Sequence, residues 1–560
     1  MVDTLEGLDE SQRVVATTWG GPLCVLAGAG TGKTRALTHR IAHGVAEGKY
    51  QADQVLALTF TTKAASEMGQ RLRALGVRGV ATRTFHSAAL RQLQHFWPTI
   101  TGGHLPDIAP SKAPLIAKTL DQLSLSVDTA VVRDLAGDIE WRKVHAHTLE
   151  DYRVSRAALG RGLPGGLSLE VVASIHERYE QVKDEQGRLD FEDVLLATLG
   201  MLESEPRVAE RVRAQYTAFL VDEYQDVSPV QQKLLELWLG ERDDLVVVGD
   251  ASQTIYSFAG ASSSYLLNFA ERYPQGTVVT LERNYRSGEH IVRAANNVVL
   301  GRPGALSLQS HSGTSEPIHR HIARTDEAEA RYVARTIKGL LESGSSPDGI
   351  AVLIRFGAQS LEVESALRAE GVGVRVQGAT PFFEESHVKR ALMEIRGAAV
   401  AGVPGSLGDV VDDILFGLGL QGEAPDHQGA ERNRHDDLAA IRALAQAMPE
   451  GTTVAEFSEL LADRAGTGDA PNVGAVTVTT VHSAKGREWP IVFVVGLSEG
   501  MFPISYATTE DAIEEERRLF YVAITRARDV LYLSMAERGR SEQSPRTPSR
   551  FLHSLSLVSN

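Results

Sequence analysis

The sequence predicts an α/β protein in which a parallel sheet feeds a phosphate-binding loop, followed by a second α/β half. Three observations carry this. The stretch Pro22-Leu23-Cys24-Val25-Leu26-Ala27-Gly28-Ala29-Gly30-Thr31-Gly32-Lys33-Thr34-Arg35 runs from an apolar strand through a small-residue loop into a helical pattern of Leu37, Ile41 and Val45. Phe219-Leu220-Val221-Asp222-Glu223 brings a second apolar strand to an end on two adjacent carboxylates. Strand–helix alternation then begins again after Thr277, with Ile350 to Ile354 as its plainest strand.

The loop chemistry follows from its residue types. Small residues from Ala27 to Gly32 let successive N–H groups turn inward around a phosphate, and the following helix adds its positive end. Lys33 would place a point charge on the β- and γ-phosphates, and the Thr34 hydroxyl would ligate Mg²⁺. The first loop position is Ala27 where the strict pattern has glycine.

At 560 residues the chain exceeds one core, so two to four domains are expected. Its 43% apolar and 23% charged content are ordinary for a globular protein. The net charge of −15 weighs only weakly against a nucleic-acid partner, because a binding groove needs only a local basic lining. Cys24 is the only cysteine, which excludes internal disulfides and Cys-based zinc sites and fits a reducing compartment. The N-terminus lacks a signal pattern and no uncharged run approaches spanning length, so a cytoplasmic protein with no membrane partner is expected.

Taken in order, Leu8 to Arg13 reads as a helix start capped by Asp9. Its Gln12 offers an amide that suits a base edge, though alone it is an ordinary exposed Gln. Gln54 to Phe60 is a second strand, and Thr84-Phe85-His86-Ser87 ends a third. Hydroxyls beside one aromatic at strand ends suit phosphate contacts with base stacking, though each motif taken individually is more often a helix cap beside a core aromatic. Phe96 to Tyr179 turns helical, punctuated by Pro98, Pro106, Pro110, Pro114 and the Gly160–Gly166 segment, as an inserted subdomain would.

Leu189 to Leu195 returns the chain to the main sheet. Asp222 can then hold Mg²⁺, and Glu223 can orient and deprotonate a water for attack on a γ-phosphate. After the strand Leu245 to Gly249, Gln253 sits where a loop amide would sense that phosphate. Tyr256 and Phe258 are two apart, so an extended segment would present them on one side as a stacking platform; two core aromatics would give the same spacing. A second insertion is expected from Glu385 to Pro471, and sheet pattern resumes at Ala475. The Glu514–Arg518 run alone reads as a solvated helix face.

Together these motifs, in this order from Leu8 to Phe551, resemble the superfamily 1A DNA helicases of the UvrD/PcrA/Rep type. Within that family the chain resembles a shorter actinobacterial UvrD paralogue. The resemblance implies two RecA-like parallel-sheet P-loop domains, each with a helical insertion, and ATP bound between them. It divides the chain into a first domain (1–95 and 186–278, insertion 96–185) and a second (279–384 and 472–560, insertion 385–471). It implies that Gln12 reads adenine, that Arg35 and Tyr285 sandwich the ring, and that Glu488 bonds the ribose. It gives Arg286 and Arg526 the γ-phosphate from the second domain, where such arginines stabilise the transition state. Phe60, Thr84, His86, Tyr256, Phe258 and His482 fall where the family contacts DNA. Movement 3′→5′ on single-stranded DNA, tailed duplex as substrate and protein partners in DNA repair are implied with them.

Three departures stand out. The family's aromatic–Arg pair reads Phe258-Ala259-Gly260 here, so the basic residue that helps couple γ-phosphate to DNA is missing. The second insertion is shorter than the family's. The paralogue's HRDC domain and four-cysteine element do not follow Asn560, so the chain reads as a truncation. A nuclease fusion is disfavoured, because no Asp/Glu-x-Lys acid cluster follows Arg526. A nucleotide-dependent DNA clamp or displacement factor with vestigial unwinding is the alternative to a helicase.

Overall fold

The computed structural model describes residues 3–127, 129–159, 162–313, 315–377, 383, 385–420, 430–446, 448–467, 474–505, 507–539 and 545–555. The chain forms two units, Met1–Glu282 with Arg302–Leu306, and Arg283–Gly301 with Ser307–Asn560. Both are RecA-like α/β units on parallel sheets.

The first unit carries β1 (Leu23–Ala27), β2 (Val55–Thr59), β3 (Ala81–Thr84), β4 (Asp107–Ile108), β5 (Arg188–Leu189), β6 (Ala218–Val221), β7 (Leu245–Gly249) and β8 (Thr277–Leu281). Its six-stranded sheet runs β3-β2-β6-β7-β1-β8, every neighbour parallel. Parallel strands covered on both faces need apolar residues at successive positions, which is why β2, β6 and β7 read as unbroken apolar runs. One face carries helices Lys33–Ala46 and Thr62–Ala74 over a core that includes Val25, Leu37, Ile41, Met68 and Val246. The other packs Phe85, Leu93, Phe219, Leu235 and Trp238, with the Trp238 indole N–H donating to Gln92 at 2.9 Å. With all strands parallel, the loops after β1, β2, β3, β6 and β7 leave one edge of the sheet, the edge where open α/β sheets bind ligands.

The first insertion is four helices, Ala113–Gln122, Thr129–Val144, Leu149–Leu159 and Leu169–Glu185, around Ile116, Leu135, Ile139, Tyr152, Ile175 and Tyr179. The short β4–β5 ladder joins its two connections to the sheet. Two expected boundaries move. Residue 96 lies inside the helix Phe85–Thr101, which also contains Pro98 rather than stopping before it. The strand Thr277–Leu281 pairs with β1, so the first unit extends to Glu282, past the expected division after residue 278.

The second unit adds β9 (Arg283–Asn284), β10 (Gln309–Ser310), β11 (His319–Ala323), β12 (Ile350–Ile354), β13 (Val374–Gln377), β14 (Val476–Thr480), β15 (Trp489–Val494) and β16 (Ala527–Ala536). Its six-stranded parallel sheet runs β11-β16-β15-β12-β14-β13. Helices Ser386–Ala401, Leu407–Gly417, Ala430–Gln446 and Val454–Thr467 share their own core of Val388, Ile395, Val411, Leu415, Leu438, Ile441 and Phe457. The segment after β16 is anchored in part: Arg546 donates to Asp326 at 3.0 Å and Phe551 is fully buried. Among the described residues no helix is long and apolar enough to cross a membrane.

Candidate functional site

The phosphate loop is held open by its own backbone chemistry. Gly30 and Gly32 have φ of 71° and 79°, left-handed values that favour glycine. The Thr31 hydroxyl donates to the Gly28 carbonyl at 2.9 Å, and the Gly28 N–H donates to Leu281 of β8 at 3.2 Å. Gln12, which taken alone reads as an ordinary exposed amide, is buried against this loop. Its amide donates to the Thr31 carbonyl at 2.9 Å, while its side-chain oxygen accepts from the Asp9 N–H at 3.3 Å. A Cβ at Gly32 would come within 2.7 Å of the Gln12 amide nitrogen, so the contact needs glycine there. Arg35 is exposed and donates to the Gly7 carbonyl at 3.0 Å.

The acid pair lies beside the loop. The Thr34 hydroxyl donates to the Asp222 carboxylate at 2.8 Å, and Lys33 Nζ lies 3.9 Å from Glu223. Glu223 itself has φ of 54°, uncommon for a non-glycine residue and concentrated at functional sites. Its carboxylate accepts from the Gln225 amide, and its N–H donates to Asp222 at 3.0 Å. Gln225 in turn accepts from the Asp250 N–H at 3.0 Å, and Asp250 accepts from the Gln253 amide at 2.7 Å. Burial, then the neighbouring Glu223, pushes the Asp222 carboxyl up to about 6, against the pull of Lys33 and the Thr34 hydroxyl. Asp250 is raised by burial in the same way.

Two hard oxygen donors side by side, one on a carboxyl that burial holds reluctant to ionise, fit a divalent cation, whose charge would relieve that penalty. Gln225 and Asp250 escaped the sequence reading. Asp250 carries the same signal as Asp222, an acid ending an apolar strand.

The aromatic residues gather on the same unit by a different route from the one expected. Phe60, after β2, stacks on Tyr256 with centroids 5.3 Å apart and planes 13° from parallel. Phe258 stands edge-on to Tyr256 at 6.1 Å. The segment is not extended: Ser257–Ala259 is a 3₁₀ turn closed by Gly260 at φ 85°. The platform therefore comes from two strand ends, with Phe60 42% and Phe258 62% exposed. His86 stacks on Phe191 at 3.8 Å and 14°, and Phe191 is 54% exposed. Burial, then Lys112, lowers His86 to about 4, so its ring stays neutral. The Thr84 hydroxyl is taken up capping the helix Phe85–Thr101, accepting from Ser87 at 3.1 Å. Phe191 was missed; an aromatic set between Asp190 and Glu192 was its signal.

In the second unit, Arg286 donates to Glu488 at 2.5 Å and to the Thr525 carbonyl at 3.3 Å. Arg526 is buried and donates to the carbonyls of Val522 at 2.9 Å and Arg487 at 3.0 Å, and to the Thr525 hydroxyl at 3.1 Å. Both arginines thus converge on Thr525. Glu488, expected at a ribose, is the ion partner of Arg286. Tyr285 is 37% exposed beside His311. His482 lies in this unit, lowered to about 4 by burial and by Arg355 and Lys485.

A phosphate loop after β1 with an acid pair after β6 defines a P-loop nucleotide-binding fold. The family model of the UvrD/REP helicase N-terminal domain matches residues 8–274, and that of the UvrD-like helicase C-terminal domain matches 279–399 and 438–538. The chain belongs to the UvrD/REP helicase family. Its relatives include the ATP-dependent DNA helicase UvrD2 of Mycobacterium tuberculosis, 43% identical over 98% of this chain and 82% of that protein. The ATP-dependent DNA helicase PcrA of Bacillus subtilis is 29% identical over 98% of this chain and 85% of its own length.

Proposed function

We propose that the chain is an ATP-dependent DNA helicase that moves 3′→5′ on single-stranded DNA, with DNA-stimulated ATP hydrolysis, in DNA repair or replication. The observation that carries this is one sheet edge holding both Lys33, Thr34, Asp222 and Glu223 and a cluster of solvent-facing aromatics. The two sets are neighbours: burial, then Asp226 and Glu223, push the Tyr256 hydroxyl up to about 12.

Lys33 neutralises the β/γ-phosphates and the loop from Ala27 to Gly32 cradles them through backbone N–H groups. Glu223, steadied by Gln225, orients and deprotonates the attacking water, while Gln253, steadied by Asp250, senses the γ-phosphate. Thr34 and Asp222 would hold Mg²⁺, which supplies charge neutralisation on the phosphates when bound. Arg286 and Arg526 stabilise the charge of the transferring phosphoryl group. Arg35, Tyr285 and Glu488 serve the nucleoside, and Gln12 serves it through the loop it holds. Phe60, Tyr256, Phe258, Phe191 and His86 stack on bases, with Thr84 and His482 near the backbone.

Unwinding of 3′-tailed against 5′-tailed duplex, with ATP and Mg²⁺, tests the proposal. Opening of the 3′-tailed substrate alone is expected. Opening only the 5′-tailed one refutes the direction, and opening neither while ATPase is DNA-stimulated favours the clamp reading.

A further inference from the structure

The ring of Phe191 faces solvent while the acids on either side of it turn inward onto the first insertion. Lys143 Nζ lies 2.6 Å from the Asp190 carboxylate and 2.6 Å from that of Asp193. Lys183 pairs with the same two aspartates, and the Tyr179 hydroxyl donates to Asp190 at 3.0 Å. The aspartates also close a reciprocal turn, with Asp193 N–H donating to Asp190 at 3.0 Å and Asp190 N–H to Asp193 at 2.9 Å. Glu192 meets Lys112 at 2.6 Å, which also faces Glu140 of the helix Thr129–Val144 at 3.9 Å. Lys143, Lys183, Asp190 and Asp193 are all buried.

Burial alone would lower the Lys143 ammonium, but Asp190, Glu180 and Asp193 overcome it and hold it charged. Such a set is a poor source of stability, since desolvating each ion costs several kcal/mol and apolar residues of similar volume often serve as well. Geometry is what it supplies.

The next residue along holds the other aromatic loop. Gly260, directly after Phe258-Ala259, lies so close to Val144 that a Cβ there would come within 2.6 Å of Val144 Cγ2 and 3.5 Å of the His145 ring. The helix end is itself fixed: His147 N–H donates to the Arg142 carbonyl at 3.1 Å and Ala146 N–H to Lys143 at 2.9 Å, with Ala146 at φ 52°. Two consecutive side chains of one helical turn therefore hold two loops, each presenting an exposed phenylalanine.

We propose that Lys143 and Val144 are positioning residues for single-strand binding, the last turn of this inserted helix fixing the spacing between Phe191 and Phe258 and hence between the bases they stack on. The inference rests on the DNA reading above. It assigns the first insertion the job of setting the footprint on the strand.

The test uses the full chain and a labelled oligo-dT, with a 2-aminopurine oligonucleotide reporting stacking. Phe191→Ala should weaken binding about tenfold, the scale of one base–aromatic stack. Lys143→Met should weaken it to a similar degree, and the double variant should be no weaker than either single one, because each removes the same interaction. The 2-aminopurine signal should fall in both, and Lys143→Met should leave DNA-free ATPase and its KM for ATP at parent values. Should Lys143→Met fail to fold, Val144→Ala against Phe258→Ala gives the same cycle with a gentler truncation and a loss of a few fold. Additive losses, or a fall in DNA-free ATPase matching the fall in binding, would overturn the brace. If Phe191→Ala and Phe258→Ala both bind like the parent, the DNA reading falls first and the brace falls with it.

Discussion

Replacing Asp222 with Asn should make the folded chain more stable while abolishing ATP turnover. Asp222 is 6% exposed, and its carboxyl is raised from 3.8 to about 6 by burial and by Glu223. A shift of about two units corresponds to about 3 kcal/mol between the protonation states. The sign follows from the direction. The folded state binds this proton more tightly than the unfolded chain, so ionised Asp222 destabilises the fold fully above about pH 6. That penalty fades as pH falls from about 6 toward the unfolded value of 3.8. Asn keeps the shape: its oxygen can accept from the Glu223 N–H, and its NH2, standing where the other carboxylate oxygen was, can donate to the Thr34 hydroxyl, which now donates to Asp222. Urea unfolding in EDTA, where no cation offsets the charge, reports the difference through tryptophan fluorescence. Trp19, Trp97, Trp141 and Trp238 lie in the first unit and only Trp489 in the second, so the signal belongs mainly to the unit that holds the site. Asp222→Asn should gain up to about 3 kcal/mol at pH 7.5 and about half that at pH 5. Equal stability at pH 7.5, or a gain that grows on acidification, would refute the reasoning; so would retained Mg²⁺-dependent turnover.

Lys33→Ala should lose nucleotide-phosphate binding, whereas Glu223→Gln should keep it and lose turnover, as equilibrium nucleotide binding beside steady-state ATPase would show. Glu223→Gln hydrolysing ATP at the parent rate would remove it as general base. Arg286→Ala and Arg526→Ala should each lower kcat by on the order of 10³ with far less effect on ATP binding. Arg526→Ala should also lower Tm, because its guanidinium satisfies the buried-side carbonyls of Val522 and Arg487; Arg286→Ala is the cleaner kinetic test. Ala259→Arg should raise base pairs opened per ATP if the missing basic side chain limits coupling, a free energy commonly about 1–3 kcal/mol. An unchanged low yield would move suspicion to the shortened second insertion, and robust long-duplex unwinding by the parent chain would dispose of the idea.

What was legible in the sequence is the chemistry that is local in the chain. A phosphate loop is one strand, six small residues and one helix start, so Gly30, Gly32, Lys33 and Thr34 declare themselves together, and buried parallel strands announce themselves as apolar runs. Pairings made by tertiary structure were not legible. Gln12 reads as an exposed amide until the loop folds onto it. Tyr256 and Phe258 are adjacent for an extended strand, yet a 3₁₀ turn ending at Gly260 orients them, and the partner that Tyr256 stacks on comes from residue 60. Glu488 and Arg286 are 202 residues apart, and no periodicity could pair them. That β8 joins the first unit's sheet is set by its neighbour β1, which its own pattern does not reveal.

The proposed stimulation of ATP hydrolysis by DNA would run, within a single unit, through the polar contacts behind the acid pair. Glu223 bonds Gln225, Gln225 bonds the Asp250 backbone, and Asp250 bonds Gln253. Three residues after Gln253 the chain reaches Tyr256, whose ring lies on Phe60. Each step is a hydrogen bond or a short covalent run, which gives the 256–258 turn a continuous path to the loop bearing Gln253 and from it to the Glu223 carboxylate. Glu223 sits in a left-handed conformation that only its surroundings maintain, which makes its placement sensitive to them. Contiguity alone does not establish coupling, which needs an element that both ligands bias. The Asp250–Gln253 turn meets that description better than any other part of the first unit. It has its own internal bonds, from Ser252 N–H and from the Gln253 amide to the Asp250 carboxylate. Ala259 lies on the far side of that turn, where an arginine would add a second tie toward the acid motif. The yield of unwinding per ATP is the quantity in which the parent chain and Ala259→Arg would differ.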